Sequence, residues 1–215
     1  MRKRQIRPEM AQYVADPLTP VSADEAIETL AGLDRAPALI AVDGLPLSGK
    51  STLAGKLAER FGWDVLEFDD FYLPADGWPP NIEAAFPFPF FRLDEFRQAV
   101  RSLREQGECA WRPIDWPTLT IRSEPLHIGS GRPVIVEGCS VLDPDLADLY
   151  DVRLFMVSDR DTLLKAQKAR DGENVLSDDW AKLFLPSVDL YMRTQPVKRA
   201  DLVVAGRGFA RGTAA

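Results

Sequence analysis

The stretch AVDGLPLSGKSTLAGKLAERFG, residues 41–62, contains the pattern G-x-x-x-x-G-K-S. A short apolar run precedes it, and a segment with helical spacing of leucines follows it. Glycines in such a loop let backbone N–H groups turn towards phosphate oxygens, next to the positive end of the following helix. The pattern therefore predicts a nucleotide phosphate loop. Its expected ligands are Gly44, Leu45, Pro46, Leu47, Ser48, Gly49, Lys50, Ser51 and Thr52.

Two side chains of this loop have chemistry of their own. Lys50 is expected to reach the β- and γ-phosphates, and the hydroxyl of Ser51 is expected to ligate Mg²⁺. The alternative is a bare turn that begins a helix. Because the motif lies between a predicted strand and a predicted helix, as phosphate binding requires, we favour the working site.

Buried-strand patterns recur along the chain and alternate with helical segments. The strand candidates are ALIAVDG, WDVLEF, RPVIVEG, VRLFMVSD and RADLVVAG. This alternation predicts an α/β fold, a three-layer P-loop NTPase with a parallel five-stranded sheet and helices on both faces. We expect an N-terminal extension at residues 1–36 that holds a short helix capped by Ser22 and Glu25. The main domain is expected at 37–206 and a flexible tail at 207–215.

Composition excludes several classes of function. The net charge is −7, and no Lys/Arg-rich tract follows the first few residues, so a nucleic-acid partner is not expected. No segment approaches the roughly 18 consecutive apolar residues of a membrane span. The two cysteines, Cys109 and Cys139, favour reduced thiols and a cytoplasmic location over a disulfide framework. A homo-oligomer is left open.

Acidic residues follow two of the predicted strands. Asp69 and Asp70 end WDVLEFDD, and Glu137 ends VIVE. Carboxylates at this edge of a parallel sheet lie over the bound phosphates, where they accept the proton of an attacking hydroxyl or orient Mg²⁺. The alternatives are a turn cap for either aspartate and a loop hydrogen bond for Glu137. Together with the loop, these acids favour Mg²⁺-dependent phosphoryl transfer.

The chain resembles the uridine kinase family, within the wider uridine kinase/phosphoribulokinase group of P-loop small-molecule kinases. The matching segments are GLPLSGKSTLAGKLA, FDDFY, RPIDW, VIVEG, ARDG and PVKRADLVV, in family order. The resemblance covers roughly Leu39 to Val204. It implies a nucleoside kinase-like fold and ATP-dependent phosphoryl transfer to a hydroxyl of a nucleoside or related riboside.

The resemblance also implies roles for individual residues. Asp69 would be the general base, in contact with the acceptor and with Mg²⁺, while Ser51 and Glu137 would complete the metal site. An acceptor region at about 70–127 would include Tyr72 and Asp115. A lid at about 159–175 would contribute Lys165, Lys168 and the catalytic Arg170, unless these residues belong to a solvated basic helix face.

The acceptor region departs from the family pattern. Ile114 stands where a tyrosine is expected, and His127 is out of register with the family histidine, so we expect it to be structural or exposed. Aromatic residues that could wall a pocket or form core are Phe86, Phe88, Phe90, Phe91, Trp111 and Trp116. We favour core for the phenylalanines, because exposed clusters of that size are unusual.

Two other functions remain open from the sequence. A cytidylate-type nucleoside monophosphate kinase would need arginines around an acceptor phosphate, and Arg92, Arg97, Arg101 and Arg104 are available on one predicted helix. A non-catalytic nucleotide-binding regulatory module would tolerate the altered acceptor region. The sequence leaves open the acceptor and the preference for ATP or GTP.

Overall fold

The fold is a five-stranded parallel sheet between two layers of helices, as the sequence predicts. The computed structural model describes residues 19–159, 161–163, 165–166 and 179–209. In chain order the elements are α1 (Ala23–Ala31), β1 (Leu39–Gly44), α2 (Lys50–Phe61), β2 (Asp64–Glu67), α3 (Leu93–Gln106), β3 (Cys109–Trp111), β4 (Ile114–Asp115), β5 (Thr120–Ile121), β6 (Leu126–Ile128), β7 (Val134–Glu137), β8 (Val152–Val157), α4 (Leu185–Arg193) and β9 (Leu202–Ala205). The sheet order is β2-β7-β1-β8-β9.

The central strands are buried on both faces. All six residues of β1 are buried, and successive side chains enter opposite core clusters: Leu39 and Ala41 join one, Ile40 and Val42 the other. One cluster packs under α3 and the aromatic segment AAFPFPFF, residues 84–91, and the other packs under α1 and α2. Burial on both faces explains why these strands have continuous apolar runs in the sequence.

Parallel pairing brings the carboxyl ends of three strands together. Glu137, the last residue of β7, pairs with Val42 of β1 on one side and with Glu67 of β2 on the other. The phosphate loop follows β1, the turn with Asp69 and Asp70 follows β2, and Glu137 ends β7. One edge of the sheet therefore holds the loop and the acids.

The segment before β1 packs on the sheet. Ser22 caps α1 by the predicted capping box: Glu25 N donates to Ser22 Oγ, and Ser22 N donates to the Glu25 carboxylate. Val21 forms a parallel bridge with Val204 of β9. Ala26, Ile27 and Leu30 of α1 share a core cluster with residues of α2. The predicted domain boundary at residue 36 stays a prediction. Residues 1–18 and 210–215, parts of the predicted extension and tail, lie outside the described residues.

The acceptor region is built from irregular chain and short hairpins. Antiparallel pairs join β3 to β6 and β4 to β5, and prolines interrupt the chain around these short strands. The peptide bond between Phe86 and Pro87 is cis. Within the described ranges, no helix has the length and apolar character needed to cross a membrane.

Candidate active site

The phosphate loop has the backbone geometry that its glycines predict. Gly44 has φ +146°, and a Cβ there would lie 2.5 Å from the carbonyl oxygen of Met156. Gly49 is left-handed and begins α2 without a side-chain hydrogen bond to the helix. The first N–H groups of α2 therefore have no side-chain cap, which suits binding of an anion there.

Lys50 is held at the mouth of this loop. Its side chain runs back across the loop, and Nζ donates to the carbonyl oxygen of Leu45 at 2.9 Å. The residue is 8% exposed. A buried ammonium with one backbone acceptor retains donors for a phosphate.

Ser51 and Glu137 meet at the carboxyl edge of the sheet, and their association with magnesium stays a prediction. The Ser51 hydroxyl donates to Glu137 Oε1 at 2.8 Å. The pKa of Glu137 is raised to about 7: burial is the largest cause, Lys50 and the Ser51 hydrogen bond oppose the rise, and the charges of Asp69 and Glu67 add to it. Glu137 thus lies within electrostatic reach of the phosphate loop on one side and of Asp69 on the other.

Asp69 and Asp70 occupy a 3₁₀ turn, Phe68–Phe71, directly after β2. Asp69 is exposed at this edge, whereas Asp70 is partly buried and accepts a hydrogen bond from Trp111 Nε1 at 2.8 Å. Burial raises the pKa of Asp70, and the Trp111 bond opposes the rise. The two neighbouring residues therefore differ in environment: Asp69 is exposed, whereas Asp70 is half-buried and its carboxylate accepts the Trp111 hydrogen bond.

Sequence reasoning missed Asp43, the residue before the loop. Its carboxylate is fully buried and accepts hydrogen bonds from Tyr191 OH and from the N–H groups of Gly44, Ser140 and Leu142. Burial raises its pKa, and these bonds oppose the rise. The available signal was a charged residue at the end of the apolar run ALIAVDG.

The predicted acceptor residues lie on separate segments. The Tyr72 ring lies 5.3 Å from that of Trp116, and burial and the charge of Asp179 raise the pKa of Tyr72. Asp115 accepts from the Thr118 hydroxyl at 2.6 Å and pairs with Arg122 at 3.4 Å. The described contacts therefore join Tyr72 to Trp116, while Asp115 is engaged within its own hairpin.

The other predicted residues differ in burial. Phe88 and Phe90 are buried core, as favoured, and Phe86 and Phe91 pack against them partly buried. Trp111 is also buried, whereas Trp116 is 50% exposed. Ile114 is buried, and His127 is exposed on β6, as expected. Of the lid candidates Lys165 is exposed, and Lys168 and Arg170 lie outside the described residues.

Comparison with known proteins identifies relatives along most of the chain. No family model matches the sequence. A curated uridine kinase from Latilactobacillus sakei is 28% identical over 185 residues, which cover 81% of this chain and 88% of that protein. A structure described as a possible uridine kinase from Bacillus stearothermophilus aligns with a TM-score of 0.67 and 19% identity, over 85% of this chain and 96% of that one. The chain is uridine kinase-like.

A second solved structure extends this likeness beyond nucleoside kinases. The uridine kinase-like chain aligns with a protein from Silicibacter sp. TM1040, described provisionally as a fructose transport system kinase. The TM-score is 0.60 at 22% identity, over 88% of this chain and all of that one. At this identity the alignment shows a shared fold. The resemblance and the P-loop kinase fold predicted from the sequence are confirmed.

Proposed function

We propose that this uridine kinase-like chain transfers the γ-phosphoryl group of ATP to a hydroxyl of a nucleoside or related riboside. One observation carries the proposal. The Ser51 and Glu137 pair lies at the same sheet edge as the phosphate loop and the turn that bears Asp69. Phosphoryl transfer needs a phosphate cradle, oxygen ligands for a metal and a proton acceptor at one place.

The residues fit a nucleotide with Mg²⁺. An uncapped helix start, a loop kept open by Gly44 and an ammonium at its mouth match a triphosphate. Ser51 and Glu137 offer oxygen atoms, the ligands that Mg²⁺ prefers, and the charge of Asp69 acts on Glu137, so Asp69 is the third proposed metal contact. In the part of the chain described by the structure, no group of three or more His, Cys, Asp or Glu side chains could hold a metal. Ser51 and Glu137 would hold Mg²⁺ beside the phosphates, and the metal would supply charge neutralisation there.

Asp69 is the proposed general base. It is exposed at the cleft edge, whereas the carboxylate of Asp70 is occupied by Trp111. Asp69 would accept the proton of the acceptor hydroxyl as that oxygen attacks the γ-phosphorus in line, and Lys50 would hold the transferring group. Lys165, Lys168 and Arg170 remain proposed lid residues that would approach the same group.

The choice of a nucleoside-type acceptor rests on the curated relatives, which are named uridine kinases. Tyr72 and Asp115 are the proposed acceptor contacts. The exposed ring of Trp116 beside Tyr72 offers an aromatic surface on which a base could stack. Because Ile114 is buried and apolar, it supplies no hydrogen bond to a base edge.

Most of the arginines that a monophosphate kinase would need already have partners within the protein. Arg92 is buried and donates to backbone carbonyls, Arg97 pairs with Asp143, and Arg104 pairs with Asp151. Arg101 is exposed on the same helix. Three of the four arginines are therefore committed to contacts within the protein, which favours a hydroxyl acceptor over a phosphate acceptor.

ADP release tests the proposal. Purified protein is incubated with ATP, Mg²⁺ and a panel of nucleosides, nucleoside monophosphates, sugars and hydroxy acids. We expect nucleosides to stimulate ADP release, and Asp69→Asn and Lys50→Ala each to reduce the stimulated rate by roughly 10²-fold or more. Asp76→Asn, which changes an exposed aspartate of the same region, is the matched control and should retain the wild-type rate.

The other outcomes discriminate the alternatives. Stimulation by monophosphates alone would replace the proposal with a monophosphate kinase. ADP release that no acceptor stimulates and that Asp69→Asn leaves unchanged would favour the regulatory module. Stimulation by sugars alone would retain phosphoryl transfer and overturn the nucleoside acceptor.

A further inference from the structure

Arg92 directly precedes α3 and contacts the turn Phe68–Phe71, which holds Asp69 and Asp70. Arg92 is 8% exposed, and its guanidinium donates to the carbonyl oxygen of Asp70 at 2.7 Å and to that of Arg112 at 2.6 Å. It also pairs with Glu95 and lies over the Phe71 ring, 5.5 Å from its centroid. A planar guanidinium with several donors joins segments in a fixed geometry that a lysine cannot reproduce.

Trp111 holds the same turn from another direction. It is 7% exposed at the end of β3, and its Nε1 donates to Asp70 Oδ2 at 2.8 Å. The acceptor is a carboxylate, so this bond is stronger than one between neutral groups. Asp70 is therefore fixed twice, at its carbonyl by Arg92 and at its carboxylate by Trp111.

The residue before Asp69 is fixed as well. Phe68 is 1% exposed, and its ring stacks on Phe91 at 4.1 Å and meets Phe96 edge to face at 4.7 Å. Asp69 is thus the exposed residue between two anchored neighbours. Anchors on both sides restrict the backbone of Asp69, and with it the direction in which its carboxylate leaves the turn.

We infer that Arg92 and Trp111 are positioning residues that orient Asp69 by clamping its turn to the acceptor-side hairpins. The contact of Arg92 with the Arg112 carbonyl connects the turn to the link between β3 and β4. The β4 and β5 hairpin that follows carries Asp115. The base and the acceptor surface therefore form one unit, and a shift of about 1 Å in such a unit can cost roughly 10²-fold in rate.

This inference rests on the proposed function, since it takes Asp69 as the base. The competing interpretation is that both residues only pack the core. In that case their replacement would lower the fraction of folded protein and leave the turnover of each folded molecule unchanged. The experiment must therefore measure turnover per folded molecule and also the order of the turn itself.

Trp111→Phe removes the indole N–H and keeps an aromatic ring. We expect kcat with the stimulating acceptor to fall about tenfold, with the KM for ATP changed less than about twofold, because the phosphate loop is untouched. The matched control is Trp63→Phe, which changes a tryptophan of similar burial that stacks on Phe61 in the other core cluster. This control should keep the wild-type kcat.

A double variant separates positioning from packing. In an Asp69→Asn background there is no base to orient, so adding Trp111→Phe should leave the residual rate unchanged. If the tryptophan only supported folding, Trp111→Phe would leave the turnover of each folded molecule unchanged in the wild-type background as well. Arg92→Lys is the second test, with Arg101→Lys, an exposed arginine of the same helix, as its control.

Hydrogen exchange supplies a measurement that does not depend on activity. Trp111→Phe and Arg92→Lys should speed backbone exchange at residues 68–73 and leave residues 44–52 unchanged. Unchanged exchange at 68–73 or an unchanged kcat in both variants overturns the inference. If the wild-type protein shows no acceptor-stimulated turnover, the proposed function fails and with it the role of Asp69 as base, whereas faster exchange at 68–73 would still show that Arg92 and Trp111 hold the turn.

Discussion

The buried pair of Tyr191 and Asp43 gives a prediction that one removed oxygen atom can test. Tyr191 is fully buried on α4, and its hydroxyl donates to Asp43 Oδ2 at the end of β1. Tyr191→Phe deletes this donor and keeps the ring. The remaining donors to the carboxylate are the N–H groups of Gly44, Ser140 and Leu142.

The expected magnitude follows from the charge and burial of the acceptor. A hydrogen bond to a charged group contributes about 1.5–3 kcal/mol to stability, and more is lost when the acceptor is left unpaired. Three backbone donors keep Asp43 partly satisfied, so a value in the middle of the range is appropriate. We expect Tyr191→Phe to lower the free energy of unfolding by about 2 kcal/mol.

Tyr150 supplies a matched control within the same chain. It is also buried, at 1% exposure, but its hydroxyl has no hydrogen-bond partner among the residues that the structure describes. Removing a buried hydroxyl that has no partner relieves the cost of its desolvation. Tyr150→Phe should therefore change the free energy of unfolding by less than about 0.5 kcal/mol, or increase it.

Urea unfolding at neutral pH, followed by far-UV circular dichroism, measures both variants. Equal m-values in the wild type and the variants are required, so that the midpoints report stability rather than a change in the unfolded state. A Tyr191→Phe variant within about 0.5 kcal/mol of wild type would refute the assigned strength of the bond. Equal destabilisation by the two variants would refute the explanation by hydrogen bonding, because both lose the same atom.

Geometry and charge predict the effects of four further substitutions. In metal-free protein, burial raises the pKa of Glu137 from 4.5 to about 7, so its contribution to stability is full below about pH 4.5 and is lost as the pH rises through 7. Unfolding in EDTA at about pH 5 and about pH 8 should show a smaller loss for Glu137→Gln than for wild type. Gly138→Ala should cost about 3 kcal/mol in urea, since a Cβ would lie 2.3 Å from Phe68 Cβ at φ +150°, whereas Gly55→Ala, with open space around it in α2, should stabilise by about 0.5–1 kcal/mol. Ser22→Ala should cost about 1 kcal/mol by loss of the capping box, and an unchanged urea midpoint would contradict it.

The donor half of the site was predictable because its signals are local. The phosphate loop lies within one strand, one turn and one helix, so glycine spacing and the apolar run before it were sufficient. Glu137 and Asp69 were proposed in the same way, since Glu137 ends the apolar strand β7 and the turn that holds Asp69 follows β2. Parallel strands place their carboxyl ends at one edge, and the prediction needed no knowledge of long-range contacts.

The acceptor half was less predictable because its contacts join distant segments. Asp70 and Trp111 are 41 residues apart, and no periodicity connects them. In the segment AAFPFPFF the prolines remove any helical or strand period, so Phe88 in the core and Phe86 at its border could not be distinguished from the sequence. Burial there is decided by packing against the Asp69 turn, a tertiary effect.

The features that the sequence analysis missed determine where the predicted residues lie. Every residue of β7 is buried, so alternation of apolar and polar side chains cannot set its register against β1 and β2. Instead, Asp43 binds the N–H groups of Ser140 and Leu142, 97 and 99 residues away, and so fixes the chain as it leaves β7. Gly138 admits Phe68 against the same exit, where any side chain would collide with it. The distance between Glu137 and the Asp69 turn is therefore set by a buried carboxylate and a glycine that have no direct part in the proposed chemistry.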